Sequence, residues 1–127
     1  MKTPDQDIFD LVYSKSVSLG YDTYLFNPPS KAKYPFVKLG SVQTVPISTK
    51  SRLLATVYQS VDIWGSYESR AEISKMAQNL LYAVSKLNNK NYSWNLNYSN
   101  SSVEVMADNS TNDDLWRARI SLEWSLR

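Results

Sequence analysis

The sequence predicts an α+β fold: a mostly antiparallel β-sheet with two helices packed on one face, and a long β-hairpin within the sheet. Three observations lead to this prediction. Apolar residues recur at helical spacing in two separate stretches, two long runs rich in β-branched and aromatic residues follow each other in the middle, and the last twelve residues alternate strictly. A chain of 127 residues without an internal repeat or a low-complexity linker is expected to form a single domain, residues 1–127.

The first helix is predicted from about Pro4 to Leu19. Thr3 precedes a proline that suits the first helical position, and Gln6 stands at capping-box spacing from Thr3. Gly20 then supplies a C-terminal stop. Asp5, Asp7 and Asp10 lie in the first turns, where acids interact favourably with the positive end of the helix dipole.

The middle of the chain predicts three strands. A short apolar strand, Tyr24–Phe26, precedes two long runs, residues 34–46 and 53–65. Because these two runs are neighbours in sequence, we expect them to pair as a long hairpin. The polar connection between them carries Lys50 and Arg52, so the hairpin has a basic tip.

The second helix is predicted to follow Gly65 directly. Ser69 and Glu72 stand at capping-box spacing, and apolar residues then recur at i, i+3, i+4 and i+7 as far as Leu87. The preceding junction has the outline of a phosphate loop, but it contains one glycine and no lysine entering the helix. It also lacks the second glycine of a nucleophile elbow. The junction therefore reads as scaffolding.

The C-terminal third predicts three further strands, of which the last has the clearest pattern. Apolar side chains from Trp116 to Leu126 alternate with polar ones, and Arg117 and Arg119 lie on the polar side. This pattern predicts a half-buried strand with Trp116 and Trp124 in the core.

Composition excludes several classes of function. The chain has no cysteine and no histidine, which removes thiolate chemistry, the commonest zinc ligands and the commonest general base near neutral pH. We find no catalytic constellation and expect neither an enzyme nor a cofactor or metal site. No apolar run reaches the length of a membrane span, and the N-terminus has no signal-peptide character, so we expect no membrane partner.

Nucleic-acid binding remains as an alternative of a different class. The net charge of +2 is far from the excess typical of dedicated nucleic-acid binders. Lysines and arginines in the expected loops can still form a basic rim; they are Lys31, Lys33, Lys50 and Arg52.

The middle of the chain resembles small tail-component proteins of long-tailed bacteriophages, including the tail terminator or head-to-tail joining proteins. The segments that carry the resemblance are the strand "YPFVKLGSVQTVP", the polar tip that follows it, and the strand and helix "VDIWGSYESRAEISKMAQNLLYAV". The resemblance covers about residues 34–87. It implies a non-enzymatic protein of the virion, made in the bacterial cytoplasm and located at the head-proximal end of the tail. Another small connector or minor tail component is the alternative within the same class.

The resemblance further implies the partners. Tail terminators form a ring, usually a hexamer, that caps the tail tube, contacts the tail tube protein and the head connector protein, and lets DNA pass through its lumen without sequence-specific binding. A ring needs complementary surfaces on each protomer. The residues that we expect to contribute to them are Lys50, Arg52, Tyr67, Glu68, Arg70, Arg117 and Arg119.

Overall fold

The structure is a computed structural model that describes residues 2–47, 54–85, 87, 92–109 and 114–126. The order of helices and strands is the predicted one, and the α+β class is confirmed. In chain order the elements are α1 (Pro4–Ser18), β1 (Thr23–Tyr24), β2 (Phe36–Ile47), β3 (Leu54–Ser66), a 3-10 turn (Tyr67–Ser69), α2 (Arg70–Val84), β4 (Trp94–Leu96), a second 3-10 turn (Tyr98–Asn100), β5 (Ser102–Asp108) and β6 (Leu115–Leu126).

The strands form one six-stranded sheet in the order β1-β2-β3-β6, with β4 and β5 sharing the outer edge of β6. The short β1 is parallel to β2, and the other pairings are antiparallel. β2 and β3 form the predicted hairpin, with a register shift between Leu39 and Val42. β6 is therefore hydrogen-bonded along both edges, which places the most regularly alternating segment of the chain inside the sheet.

The core lies between the sheet and the two helices. Alternate residues of β3 and β6 point towards the helices and are buried, as the alternation in β6 predicts. Neither α1 nor α2 packs on the other face of the sheet, which no helix covers in the described part of the chain; we call it the open face. The most deeply buried large side chains are Trp124, Ile8, Ile63, Ile73, Leu80 and Ile120.

The side-chain hydrogen bonds of the two predicted capping boxes do not form, so both predictions are wrong. Thr3 precedes α1 without a side-chain cap, and the Gln6 amide instead donates to Asp10 Oδ1 at 2.9 Å, one turn further along the helix. Ser69 precedes α2, but its hydroxyl pairs with the Ser66 hydroxyl at 2.9 Å. The 3-10 turn before α2 explains the second case, because it brings these two hydroxyls together before the helix begins.

Asp7 lies in the first turn of α1 as expected, and it makes a contact that the sequence did not indicate. It is only 2% exposed, and its Oδ2 accepts a hydrogen bond of 2.8 Å from the Trp94 indole. A buried carboxyl group requires such a partner because desolvation is costly. Asp7 thus connects the first turn of α1 with β4, which lies 87 residues away in sequence.

Candidate assembly interface

The connection between β3 and α2 is compact because of Gly65. A Cβ atom at this position would lie 2.5 Å from Ile73 Cγ2 and 3.3 Å from Ser69 Cβ. The glycine therefore allows α2 to pack directly on the end of β3. The sequence interpretation of this junction as scaffolding agrees with this geometry, and the scaffold positions the side chains that follow.

Aromatic and charged side chains gather around this connection. Trp116 donates its indole N–H to the carbonyl of Tyr67 at 2.8 Å, and the Arg70 guanidinium lies 5.2 Å from the centroid of the Trp116 ring. Tyr67 is 66% exposed. We call Tyr67, Glu68, Arg70 and Trp116 the junction cluster. Exposed tyrosine, tryptophan and arginine are the residues that protein interfaces are enriched in, and Arg–Trp stacking orders the arginine before any partner arrives.

A second set of charges lies on the open face next to the junction. Asp62 Oδ1 accepts a hydrogen bond from Arg119 Nε at 3.2 Å and lies 4.0 Å from Arg117 Nε. Arg117 also pairs with Asp108 at 3.7 Å, and its guanidinium lies 5.1 Å from the centroid of the Trp64 ring. We call Asp62, Asp108, Arg117 and Arg119 the charge ladder.

The ladder follows from strand register. Asp62 stands opposite Arg119, and Trp64 stands opposite Arg117, on the antiparallel pair β3–β6. Opposite charges directly across a strand pair stabilise the sheet. Arg117 has a side chain that is only 22% exposed, whereas that of Arg119 is 44% exposed. Arg119 is thus the ladder residue that offers more of its guanidinium to a partner.

The structure divides the residues that were predicted for the interface into separate groups. Tyr67, Glu68 and Arg70 come together in the junction cluster, while Arg117 and Arg119 form ion pairs within the chain on the open face. Lys50 and Arg52 lie outside the described residues. The contact of these residues with a partner stays a prediction.

Sequence reasoning missed two tryptophans of this region. Trp116 was expected in the core, and it does point to the helix side, but it lies at the end of β6, where it is half-buried beside the junction. Trp64 points to the open face beneath Arg117. The alternation along each strand indicates which face a side chain takes, but only the end of the helix layer determines how far it is covered.

Exposed apolar side chains mark the distal part of the hairpin. We call residues 42–47 and 54–59 the hairpin arm; they pair in register from Val42–Gln59 to Ile47–Leu54. Val45, Ile47 and Tyr58 are between 42% and 49% exposed and lie on the open-face side. The arm therefore presents an apolar surface that is separate from the junction cluster.

A concavity lies beside the first half of β2. It is a groove of about 750 Å³, walled by Phe9 of α1, by Phe26, and by the backbone of Gly40 to Val42. Lys38 lies at its rim and donates to Asn27 Oδ1 at 2.7 Å. The groove contains no arrangement of nucleophile and base.

Two carboxyl groups with lowered pKa values lie away from the junction. Hydrogen bonds from Asn100 and Asn97 hold the pKa of Glu123 below its ordinary value. The ammonium of Lys2, 2.7 Å away, does the same for the pKa of Asp10. Both shifts favour the charged carboxylate, as in a structural contact, and neither raises a carboxyl pKa towards neutrality as a general acid would need.

The described residues contain neither a candidate metal-binding group nor a membrane-spanning helix. No group of three acidic, histidine or cysteine side chains that could hold a metal ion occurs there. Neither α1 nor α2 is long and apolar enough to cross a membrane, and the other described segments contain no such helix.

Comparison with known proteins gives a likeness of fold. No protein-family model matches the sequence, and no curated protein matches it either. Among solved structures, the chain is similar to a chain of the "Virion of native gene transfer agent (GTA) particle", with a TM-score of 0.67 and 16% sequence identity. The match covers 92% of this chain and 92% of that chain. The two chains thus share one fold over nearly their whole lengths.

Proposed function

We propose that this chain is a structural protein of a phage-like virion. The observation that carries the proposal is the end-to-end fold likeness to a chain of a virion particle, at 92% coverage in both directions. The coverage matters because the likeness then rests on the whole arrangement of helices and strands and not on one shared motif. The absence of histidine and cysteine from the sequence is in keeping with an assembly role rather than catalysis.

Within that class, we favour a tail terminator or head-tail joining protein. Such a protein would cap the tail tube as a ring, of six copies by analogy with the family that residues 34–87 resemble, and would contact the head connector. A head-tail connector of another kind is the alternative.

The arrangement of surfaces supports a ring. A ring of identical subunits uses two different surfaces on each copy, since the contact is heterologous and closes by rotation. The junction cluster and the hairpin arm are two such surfaces: the cluster lies where β3 ends, and the arm includes the beginning of the same strand. β3 spans about 40 Å from Leu54 to Ser66, at ~3.3 Å for each of its twelve residue-to-residue steps, so the Leu54 end of the arm lies far from the cluster.

Nucleic-acid binding is the less favoured function. The two arginines of the open face are partnered by Asp62 and Asp108, which lowers their capacity to neutralise phosphate groups. Of the predicted basic rim, the described part contains Lys31 and Lys33, both in an exposed loop. A terminator ring lets DNA pass through its lumen without contacting the bases. The two lysines therefore need not recognise a DNA sequence.

The first experiment is the mass in solution, by light scattering after size exclusion at two concentrations and two salt levels, followed by addition of purified tail tubes. We expect either a discrete ring or a monomer that caps tube ends visible by electron microscopy. The pair Tyr67→Ala and Arg70→Glu should abolish ring formation or capping. Tyr98→Ala is the matched control, because Tyr98 is also exposed, at 53%, but lies beside the other end of β6.

Two outcomes would contradict the proposal. If the protein neither forms a ring nor binds tube ends, the assembly role fails. If instead the isolated protein binds DNA with a steep salt dependence and ignores tubes, the nucleic-acid alternative replaces it. A protein that caps tubes normally with Tyr67→Ala and Arg70→Glu would keep its role but lose the junction cluster as the interface.

A further inference from the structure

Three buried polar side chains beneath the hairpin have no hydrogen-bond partner in the described structure. They are Gln59, whose amide oxygen and nitrogen are both unpartnered, Thr44 through Oγ1, and Trp124 through Nε1. Gln59 is 3% exposed and Trp124 is 1% exposed. Unpartnered polar atoms are rare inside proteins, so three of them call for a common explanation.

Strand register places the three side chains together. Thr44 stands opposite Val57, which stands opposite Trp124, so Thr44 and Trp124 belong to one row across β2, β3 and β6. Gln59 belongs to the next row, two residues further along β3. All three side chains point to the helix side of the sheet, because residues that stand opposite each other on paired strands take the same face and Val57 is buried on the helix side. Rows two residues apart on one face are diagonal neighbours, within reach of long side chains.

The chemistry of these groups identifies what they can bind. The Gln59 amide offers two N–H donors and one acceptor, the Thr44 hydroxyl can donate and accept, and the Trp124 indole only donates. None carries a charge, so neither an anion nor a cation would be compensated here. A small neutral molecule that both donates and accepts matches the set, and water is the one that buried polar groups of proteins commonly share.

We propose that Gln59, Thr44 and Trp124 form an internal water-binding site between the sheet and the helices. Water held by these groups would give hydrogen-bond partners to side chains from three adjacent strands. The site lies where the hairpin arm leaves the body of the sheet, so the bound water links β2 to β3 and β6 at that point. It thereby positions the arm, and this conclusion is independent of the proposed function.

The test is nuclear magnetic resonance of the full chain, which detects magnetisation transfer between water and the Trp124 indole and Gln59 amide protons. We expect cross-peaks with the sign of a water that stays bound for longer than the molecule takes to tumble. Their absence in the wild-type protein would overturn the proposal, and this result does not depend on any variant folding.

Two variants make the assignment specific. Thr44→Val removes the hydroxyl, whose exchange with solvent could imitate bound water. Gln59 and Trp124 still hold the water in this variant, so the Trp124 cross-peak should persist with the same sign, and its loss would contradict the site as assigned. Gln59→Leu should abolish the Trp124 cross-peak, whereas Gln43→Leu, at an exposed position of β2, should leave it intact. A Trp124 cross-peak that survives Gln59→Leu would also contradict the site.

Discussion

The hydrogen bond between Asp7 and Trp94 should be among the strongest single contributions to the stability of this fold. Both residues are buried, at 2% and 9% exposure, and the indole nitrogen lies 2.8 Å from Oδ2. Asp7→Ala removes the acceptor and leaves the indole N–H inside the protein. An ordinary intramolecular hydrogen bond contributes about 0.5–1.5 kcal/mol, and an orphaned buried donor costs about 1–3 kcal/mol. We therefore expect the free energy of unfolding to fall by about 2–4 kcal/mol.

The assay is equilibrium unfolding in urea, followed by tryptophan fluorescence and by far-UV circular dichroism. Asp5→Ala is the matched control: Asp5 lies in the same first turn but is exposed, so its loss should cost less than ~1 kcal/mol through the helix dipole. Trp94→Phe keeps a ring against Trp124 while removing the donor. A double-mutant cycle of Asp7→Ala and Trp94→Phe should then give a coupling energy of about 1–2 kcal/mol.

The reasoning fails if the coupling energy is below ~0.5 kcal/mol, the usual range of additivity for independent sites. It fails equally if Asp5→Ala and Asp7→Ala destabilise the protein by the same amount, because the helix dipole would then account for the whole effect.

Three further predictions concern the junction, the charge ladder and pH. Gly65→Ala should lower the free energy of unfolding by about 1–3 kcal/mol in urea, since the new Cβ overpacks against Ile73; an unchanged midpoint would contradict the close approach of α2. Asp62→Asn should cost about 1 kcal/mol in 0.1 M salt and less in 1 M salt, because screening weakens ion pairs; a loss that is independent of salt would exclude an electrostatic ladder. The lowered pKa of Glu123 contributes stability above its ordinary pKa of 4.5, and this is lost as pH falls through the folded-state value. Glu123→Gln should therefore show a shallower loss of stability than the wild type as pH falls below 4.5, and parallel curves would refute this.

Local pattern determined the elements and their order. The first helix was expected from Pro4 to Leu19 and ends at Ser18, and the long strands agree to within about two residues. Periodicity succeeds here because each helix and strand must bury one face, and the spacing of apolar residues records which face that is. The same logic correctly separated the core-facing side of β6 from Arg117 and Arg119.

Contacts between distant segments were decided by the tertiary structure alone. Asp7 reads as an ordinary acid of a first helical turn, and only the arrival of Trp94, 87 residues later, makes it a buried partner. Gln59 and Thr44 read as polar residues of a hairpin until register places them beside Trp124. The physical reason is that burial and hydrogen bonding depend on which strands and helices become neighbours, and a chain's local spacing carries no information about the element that will cover it.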